Sequence, residues 1–486
     1  MKNRVIKIKD LVLIFGALLL INTGCVDLEE TPKDFTGPSN FYNSPTQIEA
    51  AFISSMSRLY GEWSVYGYGH GFFASDDQLY GGNLNFSDNQ GGGLWSAHYR
   101  AIADLNPAIL ALNVDKLANS ATQEEKDQLM AQAKFLRAYN YFNLVRLFGD
   151  TPLITEETNV VTDEILRTPI ADVYAFIESD LMYATQNLPE TWSDDTQGRP
   201  AKAAAKTLLA KVYVTMATAP LNNASYFAKA RDMAADVMDD GTYSLVPDIN
   251  EVFELENAYG PEIMWSFNAS EDDITTPPQI WLPGSMADGW GDFKSDKVWG
   301  ESYPAQPRKD AYLLLEDWDG EPYTTFDGTT PYVKKFLYDT QENQERYRSV
   351  QNIPILRFAD ALLIFAEAEN MANGGPTQAA VDAVNQIINR ANDYVANPND
   401  ALLTTSMSQA AFDAAVIQQR NLELCFEYDR WFDLVRKRIL CQMTIPAYLP
   451  NCSDNDYLWP IPQTDLRLNP KLIQNPGYTT PPPAGG

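Results

Sequence analysis

Residues 135–154 read Phe135-Leu-Arg-Ala-Tyr-Asn-Tyr-Phe-Asn-Leu-Val-Arg-Leu-Phe-Gly-Asp-Thr-Pro-Leu-Ile154. A helix ending near Gly149 is expected, because glycine is the usual left-handed cap and Pro152 cannot continue the turn. At 3.6 residues per turn, Leu129, Ala133, Leu136, Leu144 and Leu147 fall on one side. Phe135, Ala138, Phe142 and Val145 fall on nearly the opposite side. A surface helix carries one apolar stripe, so two stripes mean that neighbours sandwich this one. The stretch predicts the middle layer of an all-helical stack.

Working outward, Gln47 to Tyr60 and Leu94 to Asn106 are predicted helices upstream of the Gln123–Phe148 segment. Downstream follow Ile170 to Leu188, Ala201 to Ala219 and Tyr226 to Asp240. Ala203, Ala204, Ala205, Ala210, Ala217 and Ala219 permit close helix–helix approach. Antiparallel pairs with small contact residues build tetratricopeptide-like solenoids, although no clean 34-residue period occurs here. Past Pro247 the pattern changes: Glu262 to Phe267 reads as a short strand, and Asn268 to Pro307 is loop-rich. That loop holds Trp281, Trp290, Trp299 and Tyr303 between glycines and prolines. Loops of this length are functional or disordered, and the tryptophans argue against disorder. A comparable stretch, Glu62 to Gly93, sets Trp63, Tyr66, Tyr68, Phe72, Phe73, Tyr80 and Phe86 among glycines. Asp76, Asp77, Asn83 and Asn85 are interspersed. Glycines break the periodicity, which puts many of these rings on loops, where they need not be core.

The chain has 486 residues, 12% of them aromatic, and a formal net charge of −29. That charge argues against nucleic acid and anionic lipid as partners; an acidic, aromatic-rich surface suits neutral, hydroxyl-rich ligands better. Lys2, Arg4, Lys7 and Lys9 precede the apolar run Leu11 to Ile21, which is too short at ~1.5 Å per residue to serve as a bilayer span. The run stops at Asn22-Thr-Gly-Cys25, which resembles a lipobox whose Cys25 is lipidated. Val26-Asp-Leu-Glu-Glu30 resembles the acidic stretch that routes some bacterial lipoproteins to the cell surface. Residues 1–24 are thus expected to be a lipoprotein signal peptide and 25–40 a lipidated tether. No other apolar run is long enough for a membrane helix, so the mature body is expected to be soluble. Cys441 and Cys452 flank a proline-containing loop and are placed to pair in an extracytoplasmic setting; Cys425 would then be a buried apolar residue.

Further motifs accompany the Phe135–Ile154 run. They are the Trp95-x3-Tyr99-x2-Ile102-x3-Asn106 spacing and Ile355-Leu-Arg-Phe-Ala-Asp to Asn370, which continues through Asn385-Gln386 and Arg390-Ala391. Arg420-Asn-Leu-Glu-Leu-Cys-Phe-Glu-Tyr-Asp-Arg-Trp-Phe-Asp-Leu-Val-Arg436, Trp459-Pro-Ile-Pro and Leu468-Asn-Pro to Tyr478 complete the set. Together these resemble the motifs of the SusD/RagB family of surface nutrient-binding lipoproteins. With the lipobox they keep the family's order from residue 25 to 478, with Ile388 where the family often has arginine. The resemblance implies a mainly α fold: a tetratricopeptide-like helical solenoid with a loop-rich, irregular second half packed on it. Residues 41–250 would form the N-terminal helical part, 251–345 a loop-rich aromatic insertion, and 346–486 C-terminal helices packed with 41–250. It implies a surface-exposed, lipid-anchored outer-membrane protein that binds a glycan and delivers it to a TonB-dependent SusC-like β-barrel transporter. A receptor for peptides or glycoproteins on the same scaffold is the alternative, and a surface glycosidase the enzymatic rival.

A pyranose stacks its C–H face on Trp or Tyr while planar polar groups hold its hydroxyls. Tyr66, Tyr68, Tyr80, Asn83, Trp281, Trp290 and Trp299 are therefore the candidate glycan-binding residues. Trp95, Arg137 and Trp431 read as scaffold. Glu423, Glu427 and Arg430 fall at i, i+4 and i+7 of one predicted helix, and Asp76-Asp77 is the better-placed acidic pair. Paired carboxylates suit glycosidases at separations of ~5–9.5 Å. For Glu423 and Glu427, a helix-surface ion network with Arg420, Arg430 and Arg436 is preferred. Glu271, Asp272 and Asp273 read as a solvated charge run, and Asp454-Asn-Asp456 as turn chemistry rather than a Ca²⁺ loop. Serine-hydrolase, Walker, Rossmann and metalloprotease motifs are absent, so no cofactor, metal or catalytic residue is expected.

Overall fold

The computed structural model describes residues 41–64, 78–80, 88–160, 164–193, 198–269, 278–326, 330–443 and 451–479. The fold is mainly α, as the sequence predicts. Helices α1 (Pro45–Ser64), α2 (Asp88–Asn113), α3 (Gln123–Phe148), α4 (Ile170–Asn187), α5 (Lys202–Ala217) and α6 (Tyr226–Asp240) form the first half. Thr122 opens α3 with a reciprocal cap: its hydroxyl accepts the Glu125 N–H, and the Glu125 carboxylate accepts the Thr122 N–H at 2.7 Å. Gly149 closes it at φ +71°, where a side chain would be strained. Both stripes of α3 are buried, one including Leu136 and Leu147, the other Phe135 and Phe142. The helix packs between α2 and α4 and also meets α1. The sandwich read from its periodicity is what forms.

The strands are short: β1 (Gln78–Tyr80), β2 (Ile263–Phe267), β3 (Phe293–Ser295), β4 (Leu313–Leu314), β5 (Tyr332–Val333) and β6 (Ile353–Arg357). Strands β2 and β6 pair antiparallel, and helices resume after β6. These are α7 (Phe358–Asn373), α8 (Gln378–Ala391), α9 (Gln409–Glu423) and α10 (Arg430–Arg436). Helix α7 packs against α5 and α6 as well as α8 and α9, so the two helical runs share one core. The Arg420–Arg436 motif is not one helix. It breaks after Glu423, with Phe426 and Tyr428 at φ +63° and +71°, and restarts at Arg430. The turn buries both rings and aims Glu427 at Lys335 and Arg357. Among the described residues no helix is long and apolar enough to cross a membrane. Cys441 and Cys452 are disulfide-bonded, and Cys425 is buried.

Candidate functional site

A four-stranded sheet has the order β1-β3-β5-β4. Its first ladder sets Gln78 opposite Ser295 and Tyr80 opposite Phe293. That pairing joins the two aromatic stretches of the sequence, since β1 belongs to the first and β3 to the second.

Trp290 lies just before β3 and is 47% exposed. Its loop is held for identifiable reasons. Ala287, Asp288 and Gly291 take left-handed conformations. At Gly289 a β-carbon would fall 2.2 Å from the Leu282 carbonyl oxygen, so only glycine permits that close approach. The Trp290 backbone N–H donates to the Gln279 carbonyl at 2.7 Å, and the Gln279 side-chain amide donates to the Gln344 carbonyl at 2.7 Å. Tyr347, 46% exposed, donates its hydroxyl to Asp288 at 3.4 Å. Nearby, burial pushes the Asp292 carboxyl above its ordinary value.

The same loop forms one wall of a cleft of about 530 Å³ through Leu282 and Met286. Trp318, Asp310, Asp317 and Lys334 line other parts of it. Trp318 is presented by a tight turn in which the Asp317 carboxylate accepts the Asp319 and Glu321 N–H groups at 3.0 and 2.9 Å. Burial pushes the Lys334 ammonium down, against the opposing pull of Asp310. Two exposed indole rings, a tyrosine hydroxyl, carboxylates and an ammonium on preformed turns are what a hydroxyl-rich ligand requires.

Trp281 and Trp299 do not belong to this surface, contrary to the sequence reading. Trp281 is 2% exposed, with its ring centroid 4.7 Å from that of Phe293 and 4.8 Å from that of Phe336. Trp299 sits in a short helix capped by Asp296 and packs on Tyr303 and Phe426 at 5.1 and 5.4 Å. Both anchor the loop-rich part to the core, so neither has a face for a sugar. Tyr80 lies in β1, while Tyr66, Tyr68, Asn83, Cys25, Asp76, Asp77 and the Glu271–Asp273 run fall outside the described residues. Trp318 escapes the sequence reading because it lies beyond the Asn268–Pro307 loop. The Asp317-Trp-Asp-Gly320 turn is the signal that marks it.

Comparison with known proteins bears on the family and the fold. The SusD family model matches residues 274–478, and a second, described as starch-binding and associating with the outer membrane, matches residues 68–214. SusD-like protein P2 of Formosa agariphila is 29% identical, covering 96% of this chain and 99% of its own. A SusD superfamily structure from Parabacteroides distasonis superposes with a TM-score of 0.76 at 25% identity, covering 88% of this chain and 99% of that one. Surface glycan-binding protein A from Bacteroides uniformis shares the fold with a TM-score of 0.75 at 22% identity, covering 89% and 99%. Both family models and the SusD-like relatives support the SusD/RagB-like family for this chain.

In this SusD-like chain the motif residues are scaffold. Trp95 is 4% exposed and donates its indole N–H to Asp465 at 3.2 Å, tying α2 to the C-terminal segment. Arg137 bonds Asp180 at 2.8 Å and Asn106 at 3.1 Å, and Trp431 is fully buried against Trp459. The expected helix-surface network around Glu423 and Glu427 does not form. Both carboxylates are buried, and Arg357 bonds each, Glu423 at 3.2 Å and Glu427 at 2.7 Å. Arg420 instead pairs with Asp360 and Asp433, and Arg436 with Glu367. Burial pushes the Glu423 carboxyl up, but Arg390, Arg357 and Arg308 outweigh it and hold it well below the usual carboxylate range. A general acid must hold its proton near neutral pH, so Glu423 is unsuited to that role. A larger hollow, about 950 Å³, lies against α2 and the 465–472 segment. Aliphatic side chains such as Ile102, Ile154, Ile165 and Leu472 dominate its apolar lining; the Trp95 ring is buried, and the Tyr99 ring is half-buried with its hydroxyl bonded to Thr151 and the Pro152 carbonyl. It is poorly suited to ring stacking.

Proposed function

We propose that this SusD-like protein binds a glycan non-covalently on the surface built by Trp290, Tyr347 and Trp318. In this reading it then passes the glycan to a TonB-dependent SusC-like outer-membrane transporter. One observation carries the reading: of the three candidate tryptophans, Trp290 alone stands half-exposed, on a loop tied by backbone bonds beside the sheet that joins both aromatic stretches. Tyr66, Tyr68, Tyr80 and Asn83 stay in the proposal as the contribution of the first stretch. The family matched over residues 68–214, starch-binding and associating with the outer membrane, supports both ligand and location. The B. uniformis protein that shares the fold is described as a surface glycan-binding protein, which agrees with this ligand class. Lipidation at Cys25 and exposure on the cell surface rest on the lipobox and the acidic stretch after it. Binding without bond cleavage is supported by the ionised, buried state of Glu423 and Glu427, which leaves neither able to act as a general acid.

The test is affinity electrophoresis and calorimetry against a panel of polysaccharides and, in parallel, peptide pools. Trp290→Ala is expected to weaken binding of the selected glycan about tenfold, on the scale of one lost ring contact at an anchor position. Unchanged binding in both Trp290→Ala and Trp318→Ala overturns the placement of the site. Binding of peptides and no glycan overturns the ligand class. Co-purification of the tagged protein with a TonB-dependent transporter tests the partner.

A further inference from the structure

A smaller hollow of about 220 Å³ shares no lining residue with the cleft beside Trp290. Thr191 and Trp192, which follow α4, and Arg199, which precedes α5, line it together with Thr242, Tyr243 and Tyr259 from the stretch between α6 and β2. Of the four aromatic side chains that line it, Trp265 is a buried core ring, whereas Tyr259 is 44% exposed and Trp192 and Tyr243 are half-buried.

Several of the described lining groups are held in place. The Trp192 indole N–H donates to the Pro200 carbonyl at 3.0 Å, and the Arg199 guanidinium lies 5.5 Å from the ring centroid, so the ring is restrained. Gly198 takes φ +84°, and a β-carbon there would lie 2.1 Å from the Asn268 amide nitrogen, so that position favours glycine. Between α6 and β2 the Gly260 N–H donates to the Asn257 carbonyl at 2.8 Å, and the Ser244 N–H donates to the Pro261 carbonyl at 2.9 Å. A ligand entering such a site loses little affinity to ordering the protein.

Size and chemistry narrow the ligand. The volume suits one six-membered sugar ring. Aromatic rings match its C–H surface, while the guanidinium of Arg199 and the hydroxyl of Thr191 match its hydroxyls; the Thr242 hydroxyl donates to Asp240 and offers only its oxygen. Arg199 is ion-paired to Glu49 at 2.6 Å, so the site offers no net positive charge to an acidic sugar. We infer that this hollow is a second sugar subsite, taking one neutral pyranose unit at a chain end or branch and working independently of the Trp290 surface. The inference rests on the glycan-binding reading and extends it to a second place on the protein.

Fluorine NMR of protein labelled with 5-fluorotryptophan tests it, with the Trp192 signal assigned by Trp192→Phe. Methyl β-glucoside, methyl β-galactoside, methyl α-mannoside and N-acetylglucosamine are the probes, and Trp290→Ala is the background. The Trp192 resonance is expected to shift saturably with at least one probe. Adding Tyr259→Ala, a change at an exposed side chain, is expected to weaken that response about fivefold or more. A Trp192 resonance that no probe moves in Trp290→Ala, while the wild type still binds glycan, overturns the second subsite alone. A shift that Tyr259→Ala leaves unchanged, or one produced by peptides and by no sugar, overturns it too. If the wild type binds no glycan of any kind, the functional reading and the subsite fall together.

Discussion

Glu423→Gln removes one formal charge from a densely ionised part of the interior. Arg308, Lys335, Arg357 and Arg390 face Glu262, Asp400, Glu423 and Glu427 there, all with side chains less than a tenth exposed. Glu423 sits at the centre, 2.8 Å from Arg390, 3.1 Å from Arg308 and 3.2 Å from Arg357, and it also accepts the Tyr312 hydroxyl at 2.7 Å. The glutamine keeps the shape but leaves these four buried cations with three carboxylates. Breaking a buried pair from one side costs about 3–5 kcal/mol. A folded body of this size has an unfolding entropy of roughly 1 kcal/mol per degree, so Tm should fall by about 3–5 °C at pH 7. The sign with pH follows from the depressed carboxyl. Its contribution is fully present above the unfolded value near 4.5 and is lost as pH falls toward the lower folded value. The gap between wild type and variant should therefore be constant from about pH 6 to 8 and narrow below the unfolded value. Scanning calorimetry across pH reads both. A gap under about 1 °C at pH 7, or one that widens in acid, would refute the claim that this carboxylate is a structural counter-ion.

Other expectations follow from single groups. Burial is the main cause that pulls buried His98 down to about 4, with the Asn140 hydrogen bond opposing it and Arg146 adding to it. The unfolded chain takes up that proton first, so stability should fall by about 2 kcal/mol between pH 7 and 5. His98→Gln should flatten that slope in urea melts. Trp281→Ala should cost about 3–5 kcal/mol through the cavity it leaves, whereas Trp290→Ala should leave Tm within about a degree and change only glycan binding. Thermal melts beside calorimetric titrations separate the two roles. Replacing Cys441 and Cys452 by serine opens a short loop and should lower stability by about 2–3 kcal/mol on chain-entropy grounds, read as a fall in the urea midpoint.

Helix periods and caps are local properties, and they are legible in the chain. The limits of α3 and α6 agree with their reading from periodicity, and the two stripes of α3 correctly demand neighbours on both sides. The break in the Arg420–Arg436 motif is not legible there. Its spacing reads as continuous helix, whereas contacts of the turn with Lys335, Arg357 and the Trp299 ring come from distant parts of the chain.

The aromatic loops divide the same way. Composition by itself marks residues 268–307 as ring-rich and irregular, because glycine and proline exclude regular elements wherever they cluster. It offers no means of telling Trp281, Trp290 and Trp299 apart. A loop has no period, so which way each ring faces depends on partners distant in sequence: Phe336 lies against Trp281 and Phe426 against Trp299, while Trp290 is left half-exposed. Tertiary packing alone turns one tryptophan of the three outward, and the β1–β3 ladder alone brings the two aromatic stretches into one sheet.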